Sequence, residues 1–415
     1  MPESAARLRE AASAWVTDWA ALYAPQLAEL AREPRPRPSL FKSFFQGGFE
    51  CSTHRRAHDR QRLDVIAATG HDAQAAADYR LLARHGIRTV RDGLRWHLIG
   101  AAPDRYDWAS LDPMLHAAGE TGTEVIWDLL HYGWPDRLDI WDTDFPARFA
   151  DFAAAATERI AAATPGTRFY APVNEISFFA WGGGDVEYIN PFGRGRGNEL
   201  KRQLARTANA AMRAIRAQDP QARFVHPDPL INIIPNPSDS ARIHAEISGY
   251  NAAQYDGWEM ISGRRLPELG GRAEYLDIVG ANYYSGNQWV DHGDRLTQDD
   301  PRAKPLRYLL IDAYARLRRP MFIAETGIEA EERPAWLAFI CDEVRAAMRA
   351  GVPIEGICLY PVLNHPGWDN DRNCPNGLLE FHDATTPRTV YQPLAAELER
   401  QRALFAAEFG IAAVI

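Results

Sequence analysis

Two glutamates stand where a buried strand would end and a loop begin. Glu175 closes the run Pro172-Val173-Asn174-Glu175, and Glu325 lies within Ile323-Ala324-Glu325-Thr326-Gly327. If both strands belong to one closed parallel barrel, the two carboxylates meet across its mouth. Two facing carboxylates can cleave a glycosidic bond, one as the acid and the other as nucleophile or base. Either motif alone is a weak signal, so the rest of the chain must supply the barrel.

The alternation of strands and helices predicts that barrel. From residue 39 onward, short apolar runs alternate with amphipathic helical stretches, at a repeat of about 45 residues. This order predicts a (β/α)8 barrel, and an open doubly wound sheet, the alternative, would not normally need eight units. The predicted strands are 41–49, 88–95, 124–130, 168–174, 223–226, 276–283, 321–325 and 354–360, and the predicted helices include 72–85, 145–163, 199–218, 308–319 and 334–350.

The N-terminal segment has a different composition. Residues 4–32 are rich in Ala, Leu and Trp at helical spacing, and the segment 32–38 carries three prolines that would end a helix. We therefore predict an N-terminal helical extension with a Pro-rich linker over residues 1–38 and the catalytic barrel over residues 39–415. The extension is expected to pack on the barrel, and a helix that binds a partner is the alternative.

Composition and charge limit the partners and the location. The 415 residues are 46% hydrophobic and 24% charged, and the net charge of -9 is spread along the chain, which argues against nucleic acid as a partner. No apolar stretch is long enough to span a membrane. The four cysteines are scattered, and the N-terminus lacks the pattern of a secretion signal, so we expect a cytoplasmic protein. No cofactor is expected, and a homo-oligomer is compatible with the sequence.

Five motifs in barrel order resemble one known group. The segments are Val90-Arg91-Asp92-Gly93-Leu94-Arg95-Trp96, Leu129-Leu130-His131-Tyr132-Gly133-Trp134-Pro135, Val173-Asn174-Glu175, Gly280-Ala281-Asn282-Tyr283-Tyr284 and Ile323-Ala324-Glu325-Thr326-Gly327. They resemble retaining (β/α)8 glycosidases whose catalytic glutamates end strands four and seven, and most of all family 1 glycoside hydrolases, the β-glucosidase and β-galactosidase group. The resemblance covers residues 40–390 and implies a retaining β-glycosidase with Glu175 as acid/base and Glu325 as nucleophile.

The chain departs from that family at positions that determine which sugar is bound. After strand one, His54 lies near the place of a glutamine that binds outer hydroxyls, and Glu50 and Arg55 are further candidates. After strand eight, the segment from Tyr360 to Trp368 replaces one that carries a Glu-Trp pair, and Gly367 stands at the glutamate position. The resemblance therefore supports the reaction better than the substrate.

A long loop after strand four, residues 176–198, is rich in glycine and aromatic residues and is typical of a functional loop. With it, the candidate substrate-binding residues are Arg91, His131, Asn174, Asn282, Tyr284, Trp368, Glu50, His54, Trp181 and Tyr360. Strand alternation allows only one of Tyr283 and Tyr284 to face the mouth, and we favour Tyr284. His226, which ends strand five, is also a candidate to reach the substrate.

The chemistry predicts different protonation states for the two glutamates. Glu175 can donate a proton to the leaving oxygen only if its pKa is held up by partial burial and by the charge of Glu325. Glu325 must stay ionised, and Arg91 and the Tyr284 hydroxyl are expected to stabilise that charge. The structural alternatives are rim ion pairs for the glutamates, a buried Asp92 or Asp128 as the partner of Arg91, and a core histidine for His131.

Three other functions remain as alternatives. A transglycosylase would use the same scaffold and pass the sugar to another acceptor, with the Trp-rich mouth excluding water. A non-catalytic carbohydrate-binding protein would not need both glutamates. A metal-dependent barrel hydrolase is disfavoured because no HxH motif or His/Asp cluster with ligand spacing lies on strands one, four and eight, and we predict no metal.

Overall fold

Eight parallel strands close into a barrel in the computed structural model, which describes residues 18–33, 37–102, 105–383 and 385–411. Each strand pairs with its neighbours in chain order, and the last pairs with the first. The strands are β1 (Phe45–Gly48), β2 (Thr89–Gly93), β3 (Glu124–Asp128), β4 (Phe169–Ala171), β5 (Arg223–Pro229), β6 (Ile278–Asn282), β7 (Met321–Thr326) and β8 (Ile354–Leu359). The predicted (β/α)8 barrel is confirmed.

Helices follow every strand and cover the outside of the barrel. The long helices of the described chain are α1 (Trp19–Leu30), α2 (His71–Arg84), α3 (Asp112–Thr121), α4 (Phe145–Ala163), α5 (Gly197–Gln218), α6 (Ala241–Ala253), α7 (Leu306–Leu317), α8 (Arg333–Ala350) and α9 (Gln392–Phe409). Short helices lie at Val65–Thr69, Trp96–Ile99, Trp108–Ser110, Ile176–Phe179, Ala180–Asp185, Asp256–Ile261, Pro267–Leu269 and Ala330–Glu332. The loops also contain short strand pairs: Asn232–Ile234 with Gln288–Val290, His365–Pro366 with Asn373–Cys374, and Leu379–Glu380 with Thr389–Val390.

The barrel interior is apolar at its base and polar at its mouth. Apolar residues from six strands fill the interior: Ile126, Phe169, Val225, Ile278, Phe322 and Cys358. Phe41, predicted as part of the first strand, lies outside β1, and its ring packs against Phe169 and Phe322 at centroid distances of 5.0 and 5.3 Å. The first strand is therefore shorter than predicted because its leading residues pack on the apolar interior instead of joining the ladder.

The N-terminal extension packs on the barrel through α1 and α7. The Tyr23 ring stacks on Tyr308 at 4.4 Å, and its hydroxyl donates to Asp312 at 2.8 Å. Leu30, at the end of α1, is buried. Residues 1–17, which include the start of the predicted helix, and residues 34–36 of the predicted linker lie outside the described residues. The division at residue 38 stays a proposal.

Among the described helices, none is long and apolar enough to cross a membrane.

Candidate active site

Glu175 sits on a left-handed turn directly after β4. Its φ is 46°, a conformation that non-glycine residues rarely adopt, and the short helix Ile176–Phe179 begins at the next residue. Two contacts with β5 hold the turn: the Glu175 N–H donates to the Pro227 carbonyl at 3.0 Å, and Asp228 accepts from the N–H and hydroxyl of Ser177 at 3.0 and 2.8 Å. Strained backbone of this kind persists where surrounding contacts fix it, and it is frequent at functional sites.

The Glu175 carboxyl receives neutral donors only, within the described residues. The Tyr132 hydroxyl donates to its Oε2 at 2.5 Å, and the Asn282 amide donates to its Oε1 at 2.8 Å. Burial and the nearby charge of Glu325 raise the pKa of Glu175 well above its usual range, against the opposing effect of the two hydrogen bonds. Glu175 is therefore arranged to keep a proton.

Glu325 reaches the mouth because β7 is irregular. Ala281 of β6 pairs with Ile323, but the next residue, Asn282, pairs with Glu325, so the register shifts across Ala324. Regular alternation would send Glu325 to the opposite face from Ala324, which lies in the barrel interior. Because of the shift, the side chains of Ala324 and Glu325 both face the inside of the barrel.

The Glu325 carboxylate is paired with a cation. Arg91 Nη1 donates to its Oε1 at 3.0 Å, and the Tyr284 hydroxyl donates to its Oε2 at 2.9 Å. Burial raises the pKa of Glu325, and the charge of Arg91 opposes this rise. Since Glu175 has no cationic contact in the described chain, the pair holds its shared proton on Glu175 and its charge on Glu325.

Arg91 is fully buried and links both sides of the site. Besides Glu325, it contacts Asp128 Oδ2 through Nη2 at 2.5 Å, the Asn174 side-chain oxygen at 3.0 Å and the Ala324 carbonyl at 2.9 Å. The structural alternative, pairing with Asp128, therefore coexists with the contact to the candidate nucleophile. Asp92 faces away and contacts His71 and Tyr79 behind the barrel wall.

Asn174 and His131 join the two sides of the mouth. The Asn174 amide nitrogen lies 3.1 Å from His131 Nε2 and 3.0 Å from the Tyr132 hydroxyl. His131 Nδ1 lies 3.1 Å from Asp128 Oδ2, so the imidazole faces the site instead of the apolar core. Both predicted residues thus lie beside the glutamates.

The strongest arrangement of metal-ligand atoms in the described chain lies here too. Cys51, Asp128 and His131 offer three donor atoms within 4.8 Å of one another. Arg91 already occupies Asp128 Oδ2, and burial with the charge of Asp128 holds the pKa of the Cys51 thiol well above its usual range. A metal ion would face the guanidinium and need a thiolate that the site opposes. These residues fit a hydrogen-bond network better than a metal.

Alternation separates Tyr283 from Tyr284. The Tyr283 hydroxyl accepts from the Gln288 amide at 2.8 Å, and its ring stacks on Trp336 outside the mouth. The hypothesis that His226 reaches the substrate is wrong: because Val225 faces the barrel interior, His226 faces the outer layer, where its Nε2 lies 2.7 Å from the Tyr275 carbonyl.

The residues that depart from the family gather on one side of the mouth. Glu50, two positions beyond the inward-facing Gly48, accepts from the Ser52 N–H at 2.8 Å, and its Oε1 lies 3.7 Å from His131 Nε2. The ring of Tyr360 fills the space that Gly48 leaves, where a Cβ would lie 2.0 Å from its Cδ2. His54 packs against the Trp368 ring at 4.6 Å. Glu50 and Tyr360 therefore lie beside His131, whose ring stacks on Tyr360 at 6.3 Å, while His54 and Trp368 pack against each other.

An aromatic cluster of Phe178, Trp181, Tyr188 and Trp368 forms the outer mouth. Tyr188 stacks on Trp368 at 6.5 Å, and Phe178 contacts Trp181 at 5.7 Å. Trp181 is the outermost member, with 49% of its surface exposed. Its ring is available to an incoming apolar face.

Sequence reasoning missed Tyr132 and Asp228 as functional candidates. Tyr132 reaches Glu175 because its φ is 64°, and a left-handed tyrosine has no signature in the sequence. Asp228 follows the predicted end of strand five, and its position at a strand end was the available signal.

The sequence matches no protein-family model. It also matches no curated protein. Among solved structures, a β-glucosidase from Thermotoga maritima in complex with glucoimidazole aligns with a TM-score of 0.71 and 15% identity, over 88% of this chain and 98% of that chain. The AHE enzyme from Alicyclobacillus herbarius aligns with a TM-score of 0.72 and 18% identity, over 90% of this chain and 100% of that chain.

A hyperthermophilic β-glucosidase mutant that forms a dodecameric structure in the crystal aligns at a TM-score of 0.69 and 14% identity, over 86% of this chain and 99% of that chain. The Thermotoga maritima protein is a family 1 β-glucosidase. At these identities the likeness shows the fold: this chain has the barrel fold of the family 1 β-glucosidases over most of its length.

Proposed function

We propose that the protein is a retaining β-glycosidase that hydrolyses a β-linked sugar of the glucoside or galactoside type by double displacement. The observation that carries the proposal is the unequal environment of the two glutamates. Glu325 is paired with Arg91, whereas Glu175 is held by Tyr132 and Asn282. Glycosidases that use two carboxyl groups need one ionised and one protonated, and the likeness to a family 1 β-glucosidase supports the retaining form.

In the first step, Glu325 attacks the anomeric carbon while Glu175 protonates the departing oxygen. The glycosidic bond breaks, and an ester forms between the sugar and Glu325. Asn174 shares Arg91 with Glu325 and the Tyr132 hydroxyl with Glu175. Its proposed role is to bind the 2-hydroxyl, a contact that strengthens in the oxocarbenium-like transition state.

In the second step, the esterified Glu325 carries no charge. Glu175 then loses its repulsive neighbour, its pKa falls, and its carboxylate accepts a proton from water as the water attacks the anomeric carbon. The ester breaks, the sugar leaves with its original anomeric configuration, and both carboxyl groups return to their starting states.

Substitution with azide rescue tests the two roles separately. Glu325→Ala should lose turnover of an activated aryl β-glycoside, and added azide should attack from the free face and give the α-glycosyl azide. Glu175→Ala should still form the ester with such a substrate, and azide should then give the β-glycosyl azide. Near-normal turnover by Glu325→Gln, or no cleavage of any aryl β-glycoside by the wild type, would contradict the proposal.

A second candidate function, transglycosylation, draws support from the outer aromatic cluster. The exposed Trp181 ring offers a stacking surface for an acceptor sugar at the outer mouth. Product analysis with and without added acceptor distinguishes transfer from hydrolysis. If the protein is non-catalytic, the wild type should turn over no glycoside, and neither glutamate variant could lower its activity.

A further inference from the structure

The side of the mouth around Glu50 carries more carboxylates than cations. Glu50, Asp128 and Glu325 are acidic, while Arg91 is already shared between Asp128 and Glu325. Glu50 Oε1 accepts the Ser52 N–H, and Oε2 accepts no hydrogen bond from the part of the chain that the structure describes. Glu50 is nevertheless buried, with 8% of its surface exposed. A buried carboxylate with an open oxygen favours a cationic or hydrogen-bonding ligand.

The neighbouring histidines supply little compensating charge. His365 donates from Nδ1 to the Pro366 carbonyl at 2.7 Å and accepts the Asn376 amide at Nε2 at 3.2 Å, the pattern of a neutral imidazole. Burial lowers the pKa of His54 to about 4, so this ring is neutral near pH 7. His131 lies closest, at 3.7 Å; its Nε2 accepts the Asn174 amide at 3.1 Å while its Nδ1 faces Asp128 at 3.1 Å, which is again the pattern of a neutral imidazole.

Unpartnered polar atoms line the same region. The Tyr360 hydroxyl and His54 Nδ1 have no hydrogen-bond partner among the described residues, although both side chains are at least 98% buried. The Tyr360 ring stacks on His131 at 6.3 Å and Glu50 lies 3.7 Å from the same imidazole, so the two groups share one side of the mouth. Buried polar atoms without partners are costly, and a polar ligand would satisfy them.

The position of Glu50 relative to Asn174 indicates which part of a sugar it meets. His131 Nε2 lies 3.1 Å from the Asn174 amide and 3.7 Å from Glu50 Oε1, so Asn174 and Glu50 both neighbour the same imidazole nitrogen. If Asn174 binds the 2-hydroxyl, Glu50 faces the next substituents along the ring, at carbons 3 and 4.

We propose that the substrate of this site is a β-linked amino sugar whose protonated amino group, at ring carbon 3 or 4, pairs with Glu50. The proposal rests on the glycosidase function proposed above and names its substrate class. The ammonium group would donate to Glu50 Oε2, and hydroxyls of the same sugar would satisfy Tyr360 and His54. An uncharged sugar would leave the carboxylate without a counter-charge.

Binding of free monosaccharides tests this without requiring turnover. Calorimetry would compare glucose and galactose with their 3-amino-3-deoxy and 4-amino-4-deoxy derivatives, at a pH below the pKa of the sugar amine. A charge-assisted hydrogen bond should make at least one amino sugar bind about tenfold or more tightly than its parent. In Glu50→Gln that preference should vanish, because the glutamine oxygen can still accept the Ser52 N–H but carries no charge.

Two further variants make the test specific. Glu408→Gln removes the same charge from the exposed end of α9, near Arg349, and should keep the preference. Glu50→Asp keeps the charge on a shorter side chain and should retain part of the preference for the amino sugar. The inference is overturned if the amino sugars bind no tighter than their parents, or if Glu50→Gln keeps the preference.

Failure here is distinguishable from failure of the glycosidase proposal. Cleavage of plain aryl β-glycosides with no preference for amino sugars would overturn only the substrate class. Preferential, Glu50-dependent binding of an amino sugar by a protein that cleaves no aryl β-glycoside, with or without an amino group, would support the substrate class and contradict the hydrolysis.

Discussion

Arg91 donates a hydrogen bond from Nη1 to Oε1 of Glu325 at 3.0 Å, which places a permanent cation against one member of the carboxylate pair. Within the described chain, Glu175 receives hydrogen bonds from Tyr132 and Asn282, which carry no charge. A guanidinium favours the ionised form of its neighbour far more than a neutral donor does. In the mechanism that we propose, this contact decides which glutamate attacks and which donates the proton.

We first predict that Arg91→Lys lowers kcat by about 10² to 10³. Lysine keeps the charge but cannot hold Glu325, Asp128 and Asn174 at once. Weaker pairing should raise the pKa of Glu325, because Arg91 now opposes the rise that burial causes. The acidic limb of the kcat/KM profile should therefore move to higher pH, and an unmoved or lowered limb would contradict this.

A second prediction compares two adjacent tyrosines. Tyr284→Phe removes the hydroxyl that donates to Glu325 at 2.9 Å and should lower kcat on the order of 10². Tyr283→Phe makes the same chemical change at a hydroxyl that contacts Gln288 away from the mouth, and should leave kcat near the wild-type value. Equal losses in the two variants would show that the effect is on folding and not on catalysis.

A third prediction concerns the proton on Glu175. The Tyr132 hydrogen bond lowers the pKa of Glu175, against the larger rise caused by burial and by Glu325. Tyr132→Phe removes the lowering contact, so the pKa should rise and the basic limb of kcat/KM should move to higher pH. A limb that moves to lower pH would mean that Tyr132 instead stabilises the protonated form.

The sequence predicts the order of the barrel strands better than it predicts how the site is assembled. Eight apolar runs with helices between them specify the architecture, since each amphipathic helix must cover a strand. Strict alternation along 321–325 would place Ala324 and Glu325 on opposite faces, and only the register shift against β6 brings both inside. The left-handed backbone of Tyr132 and Glu175 likewise depends on tertiary contacts, which no local propensity encodes.

The substrate-selecting side was the least predictable part. Glu50 and His54 were candidates because they differ from the family, but their sequence positions do not reveal that Glu50 lies beside His131 and that His54 packs on Trp368. Those contacts join loops that are far apart along the chain.

A fourth prediction tests the outer aromatic cluster. Trp181→Ala removes the exposed ring that lies against Phe178, so an acceptor sugar should bind more weakly. Loss of one stacking surface should lower the ratio of transfer to hydrolysis about fivefold at subsaturating acceptor, in line with ~1 kcal/mol for a ring contact. Tyr250→Ala, at an exposed aromatic of α6, is the control. An unchanged ratio in Trp181→Ala would exclude the ring as an acceptor surface.

A final prediction concerns stability behind β2, where His71 is buried between two carboxylates. Its Nδ1 lies 2.8 Å from Asp78 and its Nε2 lies 2.8 Å from Asp92. Burial alone would lower the pKa of His71, but Asp92 and Asp78 outweigh it and raise the value to about 9. Because the folded pKa exceeds the unfolded value near 6.5, the protonated ring stabilises the fold fully below about pH 6.5.

This stabilisation should be lost as the pH rises through about 9, and the shift corresponds to about 3 kcal/mol. Urea unfolding of wild type and His71→Gln should therefore differ most at pH 6, with the difference shrinking toward pH 9.5. His116→Gln makes the same change on the exposed side of α3 and should show no such trend. A difference that is constant with pH would mean that His71 is neutral in the folded protein and contributes through packing alone.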